Sequence, residues 1–264
     1  MTTMPTIETL CDDLGVGDPT LLMLPGWCGD RSVFEPLAAG LATGQRVVVA
    51  DLRGQGGLAH QTEDFDSARQ VDDFVALVDE VGCEAVVPVA LSHAGWMAIE
   101  LRRRLGADRV PGIVLLDWMV LGTPPGFTEA LAGLQDPEAW QGVRGALFTM
   151  WTAGVADRSV HDYVASMADY DFAHWSRAGR EIAAAFAREG SPLEALERLA
   201  VPCPTLHLYA QPADDGYLAA QQRAAAQLGW FRVERLAASS HFPMLEVPAA
   251  MVAAISEFTA ALAG

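Results

Sequence analysis

Three features of the chain predict an α/β fold: a mostly parallel central sheet flanked by helices. Short, uniformly apolar runs (Leu21 to Leu24, Arg46 to Asp51, Val86 to Leu91, Gly112 to Trp118) have the length and β-branched character of strands covered on both faces. Helical-period segments such as Ser67 to Val81 lie between them, as βαβ units require. Small turn-forming residues, Pro25-Gly26 and Ser92 among them, follow the runs, and in open parallel sheets the carboxyl ends of the strands face the ligand crevice.

At 264 residues, 51% of them apolar, the chain is large enough for one sizeable core, and no linker or repeat argues for two. Met1 to Asp13 carries neither a basic nor an apolar leader region, and no apolar run reaches membrane-spanning length, so a cytoplasmic protein without membrane association is expected. The formal charge is −17, and Arg102-Arg103-Arg104 reads as one solvated helix turn. Nucleic-acid binding, which needs clustered cations to displace counterions, is therefore disfavoured. Cys11, Cys28, Cys83 and Cys203 form no C-x-x-C pair, so no metal site and no disulfide framework is expected.

Taken in order, Thr6 to Asp12 reads as a short edge strand, and Leu21 to Leu24 as a buried strand ending in Pro25-Gly26-Trp27-Cys28. A helix over about Arg31 to Ala42 precedes the third strand. The D-x-R-G-x-G stretch Asp51 to Gly56 then reads as a structural corner in which Asp51 and Arg53 hold loops. After the acidic helix Ser67 to Val81 comes the strand Val86 to Leu91, a sharp turn at Ser92, and a helix beginning at Trp96. The frame Ala90-x-Ser92-x-Ala94 keeps the smallness of the G-x-S-x-G nucleophile elbow while replacing both glycines.

Strand Gly112 to Trp118 ends in Asp117, a carboxylate aimed at the elbow if it is not a turn cap. Residues 122–191 change to helical periods rich in Ala, Met and aromatics: Phe127 to Leu134, Trp140 to Trp151, Val160 to Met167 and Trp175 to Arg188. They read as a helical cap between a first core part, 1–121, and a second, 192–264. Phe148, Met150, Trp151, Met167, Tyr170, Phe172 and Trp175 are candidates to line an apolar pocket, with core packing the alternative for each. Pro204 to Ala210 and Trp230 to Leu236 read as the last strands and Pro248 to Leu262 as the closing helix. His241 lies in the loop before that helix, where this fold keeps its general base. His60, His161, His174 and His207 have no comparable context. The order Ser92, Asp117, His241 is that of the α/β-hydrolase fold, in which backbone N–H groups after the second strand and after the Ser form an oxyanion hole, here at Trp27 and His93.

These motifs, with Met119, Asp169, Gly190-Ser191-Pro192, Gln211-Pro212 and Phe242-Pro243, resemble those of the cofactor-independent 2,4-dioxygenases that open 3-hydroxy-4(1H)-quinolones. The resemblance spans nearly the whole chain. It implies an α/β-hydrolase fold with a helical cap inserted after the sixth strand, and base-catalysed oxygenation with O2 as co-substrate and neither metal nor flavin. In it His241, backed by Asp117, takes the proton of the 3-hydroxyl, and the amides of Trp27 and His93 hold the 4-oxo oxygen. Ser92 orients the substrate without being acylated, and Trp151 packs over its ring. The products are an N-acylanthranilate and carbon monoxide. Relatives act on quinolones with hydrogen, methyl or heptyl at C2, the last being the Pseudomonas quinolone signal, so degradation of a 2-alkyl quorum signal by a monomer or weak dimer is expected. Two departures stand out: Gly29 where a relative carries His, and Ala94 in place of Gly. The competing expectations are a serine esterase or C–C hydrolase using Ser92 as nucleophile, and a non-catalytic ligand-binding module.

Overall fold

A computed structural model describes residues 11–262. Strands β1 (Cys11–Leu14), β2 (Thr20–Leu24), β3 (Val47–Ala50), β4 (Val86–Leu91), β5 (Ile113–Leu116), β6 (Thr205–Tyr209) and β7 (Phe231–Arg235) form one sheet in the order β1-β3-β2-β4-β5-β6-β7. Only β1 runs antiparallel to its neighbour. Every residue of β2, β3, β4, β5 and β6 is buried, as expected for strands covered on both faces. Pro88 lies inside the central strand β4, a position that normally disfavours proline. The ladder to β5 begins one residue later, at Val89 paired with Val114. Truncating one of the buried Leu side chains of β2 or β5 to Ala would cost about 2–5 kcal/mol.

The helices alternate with the strands. They are α1 (Glu35–Leu41), preceded by a 3₁₀ turn at Arg31–Phe34, α2 (Ser67–Glu80) and α3 (Gly95–Arg109). Four more follow β5: α4 (Phe127–Leu134), α5 (Trp140–Thr152), α6 (Arg158–Ser166) and α7 (Phe172–Glu189). After these come α8 (Pro192–Glu197), α9 (Asp215–Leu228), α10 (Pro243–Glu246) and α11 (Pro248–Leu262). Their starts obey simple chemistry. Asp66, Asp157, Asp171 and Asp214 cap α2, α6, α7 and α9 by accepting backbone N–H groups, and Ser191 with Glu194 forms a capping box on α8. α11 packs on α1, and α2 on α3.

Three expectations change in detail. Of the edge strand expected over Thr6 to Asp12, residues 6–10 lie outside the described residues, and the described strand runs Cys11–Leu14. Counted from there, the inserted helices follow the fifth strand and not the sixth. Of Arg102-Arg103-Arg104, expected as one solvated helix turn, Arg103 and Arg104 are exposed and Arg102 is not. Arg102 is buried and donates to the carbonyls of Val110, Val201 and Pro202, Arg103 pairs with Glu189 at 2.9 Å, and Arg104 with Glu100 at 3.0 Å. Helix spacing reveals the Glu100 pair, four residues from Arg104, and not the partners of Arg102 and Arg103 that lie far along the chain at Glu189, Val201 and Pro202. Asp51 and Arg53 do hold loops: Asp51 accepts from the backbone of Arg31 and Gly57, and Arg53 pairs with Asp73 at 2.6 Å.

Candidate active site

Among the described residues the backbone is left-handed at three non-glycine positions: Cys28 (φ 58°), Ser92 (φ 54°) and Asp117 (φ 44°). Each follows one of the adjacent strands β2, β4 and β5. Such conformations cost about 1–3 kcal/mol apiece and persist where the surroundings over-determine them. Here they turn three successive strand ends toward one cavity of about 870 Å³, within the range of small-molecule sites.

Asp117 and His241, 124 residues apart, meet at its floor: His241 Nδ1 donates to Asp117 Oδ1 at 2.8 Å. The other carboxylate oxygen, Oδ2, accepts from the backbone N–H groups of Ala210 (2.7 Å) and Gln211 (3.0 Å). Because the carboxylate only accepts, the imidazole proton sits on Nδ1 and the Nε2 lone pair is left to act as a base. The loop carrying His241 is itself tied down. Glu246 accepts from the Ser240 N–H at 2.7 Å, and Gln211 Nε2 donates to the Ser239 carbonyl at 2.7 Å. Trp151, reaching down from α5, lies parallel to the His241 ring with centroids 5.2 Å apart and 13° between planes.

Ser92 lines the same cavity, yet no hydrogen bond joins its hydroxyl to His241 or to any other described group. No Ser–His hydrogen bond of the kind that activates a nucleophile is formed. His93 follows it. Its Nδ1 accepts from Trp118 Nε1–H at 3.0 Å, and burial, reinforced by the charge of His241, pushes its pKa down to about 3. His93 therefore stays neutral, with its proton on Nε2, across the physiological range. Trp118 also fills the space beside Gly95, where a methyl group would collide with its ring, so the Asp117-Trp118 turn packs directly on the helix that begins at the elbow.

Two contributors, His207 and Tyr163, had no readable role in the sequence. His207, with no context there, is a core residue whose Nε2 accepts from the Trp118 N–H at 3.3 Å, while Nδ1 bonds Gln221; burial lowers its pKa to about 4. Tyr163 and Tyr170 reach the loop after β2 from the inserted helices. Of the aromatic and Met candidates, Met150, Trp151, Met167 and Trp175 line the cavity, and Phe148, Tyr170 and Phe172 do not. No Lys or Arg is among the lining residues, so negative charge arising there must be met by backbone dipoles and by a protonated imidazole. Among the described residues no three His, Cys, Asp or Glu side chains gather to hold a metal ion.

This strand order with an elbow, an acid and a His defines a protein of the α/β-hydrolase class, and residues 21–254 match the model of the alpha/beta hydrolase family. The chain is 38% identical to the 2-heptyl-3-hydroxy-4-quinolone dioxygenase AqdC1 of Rhodococcus erythropolis, over 90% of this chain and 86% of that protein. It is 35% identical to the 2-heptyl-3-hydroxy-4(1H)-quinolone dioxygenase of Mycobacteroides abscessus, over 93% and 92% of the two chains. A solved structure of an AqdC variant with its substrate, described as a basis for recognition and ring cleavage of the Pseudomonas quinolone signal, superposes with a TM-score of 0.91 at 35% identity, covering 95% of each chain. The chain belongs to the alpha/beta hydrolase family and, within it, to the 3-hydroxy-4(1H)-quinolone 2,4-dioxygenases.

Proposed function

We propose that this protein opens the heterocycle of a 2-alkyl-3-hydroxy-4(1H)-quinolone with O2, giving an N-acylanthranilate and carbon monoxide, and that its preferred substrate carries a long C2 chain such as heptyl. The observation that carries this reading is a carboxylate-anchored imidazole, His241, with a free Nε2 in an apolar cavity and no bond to Ser92. His241 removes the 3-hydroxyl proton, and Asp117 stabilises the resulting imidazolium while fixing its orientation. The backbone amides of Trp27 and His93 hold the 4-oxo oxygen as negative charge spreads onto it. Ser92 orients the ring.

The electron-rich anion passes an electron to O2, and the two radicals combine at C2. The peroxide then closes on C4. Cleavage of the O–O, C2–C3 and C3–C4 bonds expels C3 as carbon monoxide and leaves both dioxygen atoms in the product, one in the new amide carbonyl and one in the carboxylate. Residues 122–191 act in this reading as a cap that excludes water from the anion, with Trp151 bracing the His241 ring. The relatives named for 2-heptyl substrates and the apolar walls supplied by Leu131, Leu134, Ala178 and Ile182 support a long alkyl substituent.

Turnover of 2-heptyl-3-hydroxy-4(1H)-quinolone under ¹⁸O2 tests it. One labelled atom in each of the amide and carboxylate groups, with carbon monoxide released in equal amount, is expected. Product oxygen drawn from water, without gas, would mean hydrolysis through Ser92 instead.

A further inference from the structure

The loop after β2, which presents the Trp27 amide, is held in a strained form by groups from elsewhere in the chain. Cys28 is left-handed. Gly29 N–H donates to Gln55 Oε1 at 3.0 Å, and the Gly29 carbonyl accepts from the Tyr170 hydroxyl at 3.4 Å. At Asp30 one side chain satisfies both backbone groups. The Tyr163 hydroxyl accepts from Asp30 N–H at 3.1 Å and donates to the Asp30 carbonyl at 3.2 Å. Tyr163 sits on α6, 133 residues away, and is buried. Its ring also lies edge-on to Phe242, the neighbour of His241, with centroids 5.1 Å apart and 70° between planes.

The fit depends on what is missing from residue 29. A Cβ on Gly29 would collide with the Tyr163 hydroxyl, whereas the nearest ring carbon, Cζ, lies 3.3 Å from that point. The glycine is not required by a left-handed backbone, since its φ is not among the positive ones. It is required by the tyrosine.

We propose that Tyr163 is a positioning residue for the oxygenation: its hydroxyl, occupying the space left free by Gly29, aligns the Trp27 amide with the ligand oxygen, while its ring steadies the loop of His241. This rests on the functional reading above, in which that amide receives the 4-oxo oxygen. Docking of helix α6 thereby completes the oxyanion site, so the inserted helices shape the chemistry as well as enclose it. Both hydrogen bonds need an intact phenol, and burial keeps the Tyr163 proton in place.

Tyr163→Phe keeps the ring and its contact with Phe242 and removes only the hydroxyl. With wild type mixed anaerobically with 2-heptyl-3-hydroxy-4(1H)-quinolone, absorbance reports the fraction of bound ligand present as anion. Tyr163→Phe should lower that fraction at fixed pH and shift its titration to higher pH. It should also cut kcat about ten- to a hundredfold while KM changes little, the signature of a displaced charge-stabilising donor. Gly29→Ala should impair wild type similarly, yet cost markedly less in the Tyr163→Phe background, because the methyl group then meets the ring carbon at 3.3 Å in place of the far closer hydroxyl. If Gly29→Ala alone is insoluble, recovery of soluble protein in the double variant is the same rescue.

A Tyr163→Phe protein that ionises and turns over the quinolone like wild type overturns this inference alone. So does a Gly29→Ala penalty of equal size in both backgrounds. A wild-type protein that neither ionises nor oxygenates the quinolone would overturn the functional reading and this inference with it.

Discussion

Asp117 engages both carboxylate oxygens with three donors, His241 and the amides of Ala210 and Gln211, and does so from a left-handed backbone that few non-glycine residues adopt. That Asp117, at the end of its apolar run, and the His241 loop lie at the same end of the sheet was readable in the sequence, and the two side chains meet there. The positive φ that aims the carboxylate was not readable, because it is set by the neighbouring strand β6 and not by local propensity. Replacing Asp117 by Asn puts a donor where only an acceptor fits, favouring the wrong imidazole tautomer; kcat should fall by about 10²–10⁴ with the fold intact, as steady-state turnover and circular dichroism would register. Ser92→Ala, by contrast, should keep substantial oxygenase activity. Abolition of turnover in that variant, together with ester hydrolysis by wild type, would return the serine to a nucleophilic role.

At the level of elements, the decisive contact lies between the β5 turn and the helix that starts at the elbow. Trp118 donates to His93 through Nε1 and to His207 through its backbone N–H, and its ring covers Gly95. Gly95→Ala should therefore lower stability by about 1–3 kcal/mol through overpacking, measurable in a denaturant titration, and lower activity more than the stability loss explains, since the elbow must shift to relieve the clash. A variant as stable as wild type would show that the ring moves freely.

Strands β2 to β6 were legible because burial on both faces forces uninterrupted apolar runs, and the four inserted helices because their periods are long. Contacts that tie those elements together were not legible. Tyr163 meets Asp30 across 133 residues, and Arg102 finds its carbonyl partners at Val110, Val201 and Pro202, so helix periodicity carries no trace of either. Trp151 was expected over the substrate ring; in the structure it lines the cavity and stacks on His241.

Across the whole molecule, the last of the helices between β5 and α8 is fastened to α3 by an ionic cluster. Glu189, at the end of α7, is held by Arg103 of α3, and by Arg188 and Arg198, at 2.9, 3.0 and 3.1 Å. The hydrogen bond from Arg103, aided by the other two guanidiniums and opposed by burial, lowers its pKa from 4.5 to about 2. Since the folded value lies below the unfolded one, this stabilisation is fully present above pH 4.5 and is lost as pH falls from there toward 2. After allowance for screening at the partly exposed arginines it amounts to about 2 kcal/mol. Melting curves should show wild type losing stability more steeply than Glu189→Gln over that window; parallel curves would remove the cluster from this role. Among the described residues no helix is long and apolar enough to cross a membrane.

The central claim is that an imidazole–carboxylate pair ionises a bound 3-hydroxyquinolone before oxygen is involved. An anaerobic spectral titration of 2-heptyl-3-hydroxy-4(1H)-quinolone with wild type and His241→Ala tests it most directly. The account predicts the anion spectrum with wild type at neutral pH and the neutral spectrum with the variant, at comparable affinity. An anion spectrum of equal strength in both proteins would contradict it.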